Sequence, residues 1–303
     1  MDVKNTAGQP AEATPANIAP LAASHHWPKL APFPVRKPEL DFADTPRYWF
    51  GDNPVLTRHM DALSSLFPDG ERFFVDAVRD FQQALADTPA LRQEVRAFIG
   101  QEARHSEQHT HYNAGAGEAV EWSRQRCERL TRFARKHLPP KACLAVTICA
   151  EHFTATMGEH LLRREDIHGL HRDPEAQRMW LWHAIEETEH KATAFDVWRH
   201  VGGSETARMA HMLPVTAVLL GYLIIPATVE LTRRDGQLFN LRAWGEAARV
   251  LLHPRRGYYT GLLRDYFAWF KPGFHPNDSD TRSLLASWRA RLGFEGGDAP
   301  ATH

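Results

Sequence analysis

Two Glu-x-x-His pairs constrain this chain more than any other feature: Glu102 with His105, and Glu187 with His190. Residues three apart on a helix lie on one face, one turn along, so each pair presents a carboxylate beside an imidazole. Both pairs sit in stretches that read as helix, and around the second there is no Gly or Pro from Glu175 to Val201. One such pair alone is usually a solvated arrangement. Two of them, on separate helices and joined by single glutamates on two further helical stretches, describe a site built between four helices.

The order along the chain is Glu71; Glu102 with His105; Glu151; Glu187 with His190. One Glu from each of two helices and a Glu-x-x-His pair from each of two others is the ligand arrangement of ferritin-like bundles. Four carboxylates neutralise two divalent ions inside a low-dielectric bundle. A carboxylate can also bridge both ions, and oxygen with imidazole suits iron first, with manganese or zinc as alternatives. The intervals are 31 positions from Glu71 to Glu102, 49 to Glu151 and 36 to Glu187. The longer middle interval is expected where the second and third helices run parallel and need a crossover, which residues 118–138 would occupy.

Each candidate has a reading without metal. Glu71 falls near an expected helix start, where the dipole alone favours a carboxylate. Glu151 lies in an apolar run between Lys141 and Arg164, where a buried charge needs a partner. His109 lies seven residues beyond Glu102 and returns to its face, while His183 and Glu186 flank Glu187. These three are candidates for catalytic acid–base roles or extra metal contacts. Asp196 is a candidate to hold a metal-bound imidazole from behind.

No stretch alternates with period two, and neither a Gly-rich phosphate loop nor a G-x-S-x-G elbow occurs. The expected fold is all-α: a ferritin-like four-helix bundle with extra N-terminal and C-terminal helices. Residues 1–38, rich in Ala, Pro and Thr, read as a flexible arm. Residues 39–203 read as the metal-binding bundle, 204–295 as a helical extension packed on it, and 296–303 as a disordered tail. Asn53-Pro54, Thr88-Pro89 and Asp173-Pro174 are helix-start signals. Phe67-Pro68-Asp69-Gly70 reads as a turn feeding a helix from Glu71 to about Ala86. A single helix is expected over 174–200, ended by Gly202-Gly203. Further helices are expected at 241–252, 258–270 and 279–292.

Residues 209–229 contain no Asp, Glu, Lys or Arg and are long enough to span a bilayer. His211, Pro214, Gly221 and Pro226, with no second span, favour a core or membrane-surface helix instead. A formal charge of −1 from 36 basic and 37 acidic residues gives no reason to expect nucleic acid as a partner. Cys127, Cys143 and Cys149 form no C-x-x-C pair and are odd in number, which fits a reducing compartment. No signal-peptide pattern is visible at the start. The expected location is cytoplasmic, with 209–229 a candidate for peripheral contact with the inner membrane.

With these residues identified, the chain resembles the bacterial "predicted metal-dependent hydrolase" family of the ferritin-like group. The resemblance rests on Phe67-Pro68-Asp69-Gly70-Glu71-Arg72-Phe73-Phe74, Gln101-Glu102-Ala103-Arg104-His105 with His109, and Ala150-Glu151-His152-Phe153-Thr154-Ala155. It also rests on Trp182-His183, Glu186-Glu187, Glu189-His190-Lys191 and Ala194-Phe195-Asp196-Val197. It implies a helical bundle holding metal and, by the family's name, hydrolysis. The residues themselves point first to an O2-activating oxidase or oxygenase acting on a lipophilic small molecule at a di-iron site. A metal-dependent hydrolase is the alternative, and metal storage or sensing a third reading. The expected partner is the small-molecule substrate, with a homodimer left open.

Overall fold

The computed structural model describes residues 33–294, and helices are the regular structure throughout; no strand occurs among the described residues. Helix α1 (Pro54–Ser64) starts where the sequence indicates: the Asn53 side chain accepts from the Val55 and Leu56 N–H groups, and Pro54 leads the first turn. Helix α2 (Phe67–Arg79) begins earlier than expected. Phe67-Pro68-Asp69-Gly70 is its first turn, not a turn before it, because Pro needs no intrahelical N–H partner so near a helix start. Glu71 therefore sits past the N-terminus, so the dipole reading of this carboxylate loses its basis. A 3-10 turn at Gln82–Leu85 replaces the expected last turn.

Helix α3 (Pro89–Ala116) runs through Gly115 and stops at Gly117, whose φ of +95° suits glycine. Helices α4 (Glu118–His137), α5 (Pro140–Arg163) and the short α6 (Glu165–His168) follow. Helix α7 (Pro174–His190) is capped by Asp173, which accepts from the Glu175 and Ala176 N–H groups. The expected single helix over 174–200 is two: α7 ends at His190 and α8 (Thr193–His200) restarts after Lys191-Ala192. At that break Lys191 Nζ donates to the Ser279 carbonyl at 2.9 Å.

Helix α9 (Glu205–Thr216), a π-helical stretch (Ala217–Ile224) and α10 (Ile225–Arg234) form one continuous rod. Helix α11 (Leu241–Leu252) lies where expected. The helix expected over 258–270 is split into α12 (Tyr258–Gly261) and α13 (Leu263–Ala268), and α14 (Arg282–Arg291) closes the described chain.

Helices α2, α3, α7 and α5 form a closed ring in which each packs on the next. Helix α4 lies outside on α2, the α9–α10 rod packs on α5 and α1, and α14 covers α7 and α5. Apolar layers flank the ring. One gathers Phe98, Leu144, Ile148, Val197 and Trp269; another gathers Trp49, Leu56, Met179, Ile185 and Leu223. Of the expected arm, residues 33–38 carry no regular structure, with Phe33, Arg36 and Pro38 buried. The rest of that arm and the tail expected at 296–303 lie outside the described residues.

Candidate metal centre

The ring of four helices brings seven metal-type side chains to its middle, all buried. Helix α2 supplies Glu71; α3 supplies Glu102 and His105; α5 supplies Glu151; α7 supplies His183, Glu187 and His190. They form two groups: Glu71, His105, His183 and Glu187 in one, and Glu102, Glu151 and His190 in the other. Within each, the donor atoms lie within 4.8 Å of one another.

Two carboxylates span the groups. Glu187 Oε1 lies 3.0 Å from His183 Nε2 and 3.6 Å from His105 Nδ1, while its Oε2 lies 3.4 Å from His190 Nε2. Glu102 Oε2 is 3.9 Å from His105 Nδ1, and Oε1 is 3.1 Å from His190 Nε2. Glu151 Oε2 sits 3.5 Å from His190 Nε2 on the second group's side. Glu71 Oε2 accepts from Ser106 Oγ at 2.9 Å, and its Oε1 is 3.8 Å from His183 Nε2.

Whether these residues fit metal ions is tested by their hydrogen bonding. Glu71 Oε1, both oxygens of Glu102 and of Glu151, Glu187 Oε2, His105 Nδ1 and His190 Nε2 are buried with no hydrogen-bond partner. Folded proteins leave few such atoms, yet here they converge on one spot from four helices. Burial and then the neighbouring Glu102 and Glu187 charges push the Glu71 carboxyl well up. Burial and the Glu151 charge do the same to Glu102, and burial takes Glu151 to about 7. For Glu187, burial is outweighed by His190 and the His183 hydrogen bond, so its carboxyl is held well below the usual range. Cations are the partners that satisfy these oxygens and remove their repulsion. The residues fit.

The far side of each imidazole is held as well. His105 Nε2 meets Glu186 Oε2 at 3.1 Å, His190 Nδ1 meets Gln101 Oε1 at 3.0 Å, and His183 Nδ1 meets His109 Nε2 at 2.8 Å. Gln101 Nε2 donates to Glu189 Oε2 and to the Pro34 carbonyl, both at 2.9 Å, which fixes its amide. Its Oε1 then accepts the His190 Nδ1 proton, so Nε2 is the nitrogen that faces Glu102, Glu151 and Glu187. Arg36 Nη1 donates to Glu186 at 3.0 Å and to Glu189 at 2.8 Å. Burial and the Glu189 charge nevertheless push the Glu186 carboxyl up to about 8. His109 Nδ1 meets Ser64 Oγ at 2.8 Å, and burial with the His183 charge lowers the His109 imidazole well below its usual range.

This arrangement redistributes the roles expected from sequence. The six positions expected to be ligands come together. His183, expected either as an acid–base group or as an extra metal contact, points its Nε2 into the first group as a seventh donor. Glu186 and His109, expected as acid–base groups or extra metal contacts, each meet the far nitrogen of an imidazole, that of His105 and that of His183. Asp196 does not stand behind an imidazole of the centre; its Oδ1 lies 2.9 Å from His275 Nε2. Gln101, Glu186 and His109 take the place expected for it. Arg36, Gln101 and Glu189 are contributions that spacing arguments miss. His183 was legible as an extra metal contact because it is four residues before Glu187, hence on the same face.

A cavity of about 460 Å³ reaches the centre at Glu71, His183 and Glu187. Its walls are apolar, with Phe67 beside His183, Phe74 and Phe153 from α2 and α5, and Leu219, Leu223 and Ile224 from the α9–α10 rod. His59, Tyr258 and Tyr259 also line it, with His59 bonded to Tyr259 and Tyr258 donating to the Met157 carbonyl. The volume suits a drug-sized or acyl-chain ligand.

The family described as "Predicted metal-dependent hydrolase" matches residues 34–280. The chain belongs to this family. The match takes in Glu71, Glu102, His105, Glu151, His183, Glu187 and His190, the cavity and the α9–α10 rod. Metal dependence in the family's description agrees with the unpartnered donor atoms, which point to cations independently of it. No curated protein and no solved structure matches the chain.

Proposed function

We propose that this chain is a two-metal enzyme of the ferritin-like type that hydrolyses an ester-like bond in a lipophilic small molecule. The observation that carries the reading is the apolar cavity that ends on Glu71, His183 and Glu187. Its walls recognise hydrocarbon, and its end is the candidate metal centre. Family membership favours hydrolysis as the reaction, and a substrate cavity favours an enzyme over a storage protein.

Glu71, His105, His183 and Glu187 would hold one ion, and Glu102, Glu151 and His190 the other, with Glu187 and Glu102 spanning them. Bound there, two divalent ions would supply a Lewis acid and an activated water. The protein's own part is positioning. Glu186, Gln101 and His109 each fix one imidazole, and Arg36 holds Glu186 and Glu189 in place. Glu71 and Glu187 also line the cavity, so the ion they would hold faces a substrate bound there. Phe67 and Phe74 line the approach and keep bulk water from it, which strengthens every electrostatic contact inside.

A second reading is O2-dependent oxidation of the same kind of molecule. The donor set favours it: four carboxylates with three imidazoles, two carboxylates spanning, is an oxygen-rich set suited to iron. The test is to load the protein anaerobically with Fe(II), Mn(II) or Zn(II), then assay nitrophenyl esters of increasing acyl length. Metal-supported cleavage that rises with chain length and disappears in Glu187→Ala is the expected outcome. No cleavage with any metal, but O2 uptake by the ferrous protein with a lipophilic substrate, would replace the first reading by the second. A protein that takes up no metal under these conditions would end both.

A further inference from the structure

The α9–α10 rod carries an apolar face that nothing in the described chain covers. Leu213, Pro214, Ala217, Val218, Gly221, Tyr222, Ile225 and Val229 are exposed and follow one another at helical spacing. Leu213 is 62 % and Ile225 56 % exposed. No Asp, Glu, Lys or Arg interrupts the rod between Arg208 and Glu230. The opposite face, with Met212, Val215, Leu223, Ile224 and Ala227, is buried against the protein. The rod, Glu205–Arg234, is long and apolar enough to cross a membrane, and its most apolar window is only 33 % buried. One face packed and one face bare is the pattern of a helix that lies along an interface, not one that crosses it.

Two further observations identify what the bare face meets. The first is the cavity. Among its lining residues, Phe133 and Leu138 at the end of α4 and Pro214 and Val218 on the rod are also exposed, so the cavity reaches the surface at the edge of this face. The second is charge. Around Phe133, α4 exposes Arg129, Arg132, Lys136 and His137, with Glu128 as the acidic neighbour that Arg132 pairs with. Helix α4 is tied to the rod by Arg126, which donates to the Tyr222 carbonyl at 2.8 Å and lies over the Tyr222 ring. An uninterrupted apolar stripe bordered by exposed cations matches a bilayer carrying anionic headgroups.

We propose that the Leu213–Val229 face docks on an anionic lipid bilayer and that the cavity receives its substrate from that bilayer. The docking stands on the surface alone; the substrate route rests on the lipophilic-substrate reading above. Apolar side chains enter the headgroup boundary while Arg129 and Lys136 contact phosphates, and the cavity mouth then faces acyl chains directly.

The test is co-sedimentation of the metal-loaded full chain with phosphatidylcholine vesicles, with and without phosphatidylglycerol. Binding to the anionic vesicles is expected. Leu213→Asp with Ile225→Asp, at exposed positions that do not line the cavity, should weaken it by about tenfold or more. Arg129→Glu with Lys136→Glu should remove the preference for phosphatidylglycerol. Wild-type protein that stays in solution with both vesicles, or a Leu213→Asp/Ile225→Asp protein that binds as well as wild type, overturns the proposal. A dimer in vesicle-free solution that the same pair of substitutions dissolves overturns it too, and assigns the face to a second copy. Circular dichroism and metal content establish that the variants fold. Cleavage of a soluble short-chain ester, measured in parallel, separates a failure of docking from a failure of the hydrolase reading.

Discussion

His183 shows how much a single residue decides here. Its Nε2 lies 3.0 Å from Oε1 of Glu187, the carboxylate that spans the two groups, and its Nδ1 is taken by His109. If it is a ligand, His183→Ala should lose one of two ions while Glu187→Ala, which removes the spanning carboxylate, should lose both. Atomic emission on anaerobically loaded protein reads this directly, and a full complement in His183→Ala would return it to a supporting role. Gln101→Leu should weaken metal affinity by roughly 10–100-fold without removing any donor, because the His190 tautomer is then no longer fixed. The pairs Glu102/His105 and Glu187/His190 were legible because both members lie on one helix, where spacing fixes direction. Gln101 was not, since its partner His190 belongs to another helix and neighbouring positions point about 100° apart. Arg36 was still less so: it reaches Glu186 from a segment without regular structure, which has no period to read.

At the scale of elements, Gly158 sets how closely α5 approaches α7. A Cβ built there would lie 3.0 Å from the Ala184 carbonyl oxygen and 3.2 Å from its Cα, with Glu187 Cβ at 3.4 Å. Backbone cannot swing aside as a side chain can. Gly158→Val should therefore destabilise the fold by about 1–3 kcal/mol and lower metal content by shifting Glu187. A urea unfolding midpoint equal to that of the wild type would show that the interface yields. Helix starts marked by a capping side chain and proline, at Asn53-Pro54 and Asp173-Pro174, were readable from the chain alone because their chemistry is local. Other features depended on neighbours. The first turn of α2 contains a proline and a glycine that read as a turn, yet Pro68 and Glu71 are buried in tertiary packing that overrides propensity. The π stretch is similar. Pro226 cannot donate to the Tyr222 carbonyl one turn back, and Arg126 from α4 supplies the missing donor.

For the whole molecule, burial of polar groups makes both stability and metal uptake depend on pH. His59 and His171, outside the centre, are lowered to about 4 by burial. The unfolded chain protonates them as pH falls below about 6.5, whereas the folded protein resists until about 4. Their contribution to stability is thus complete above the upper value and lost as pH falls through the lower one. Thermal melts of His59→Gln should show a shallower acid limb than wild type, and an identical limb would show that His59 does not contribute to it. The centre behaves in the opposite sense. Burial raises Glu71, Glu102 and Glu151, the last to about 7, so the metal-free folded protein holds protons on these carboxyls more tightly than free carboxyls do. Ligand oxygens must give up those protons to a cation, so uptake should release protons and affinity should rise with pH. Calorimetric titration of metal into the metal-free protein, in buffers of different ionisation enthalpy, measures that release. It should be larger at pH 6 than at pH 8, because more of the carboxyls start protonated. A heat independent of buffer at both values would mean that the four carboxylates are already ionised together, and that another charge inside the ring holds them apart.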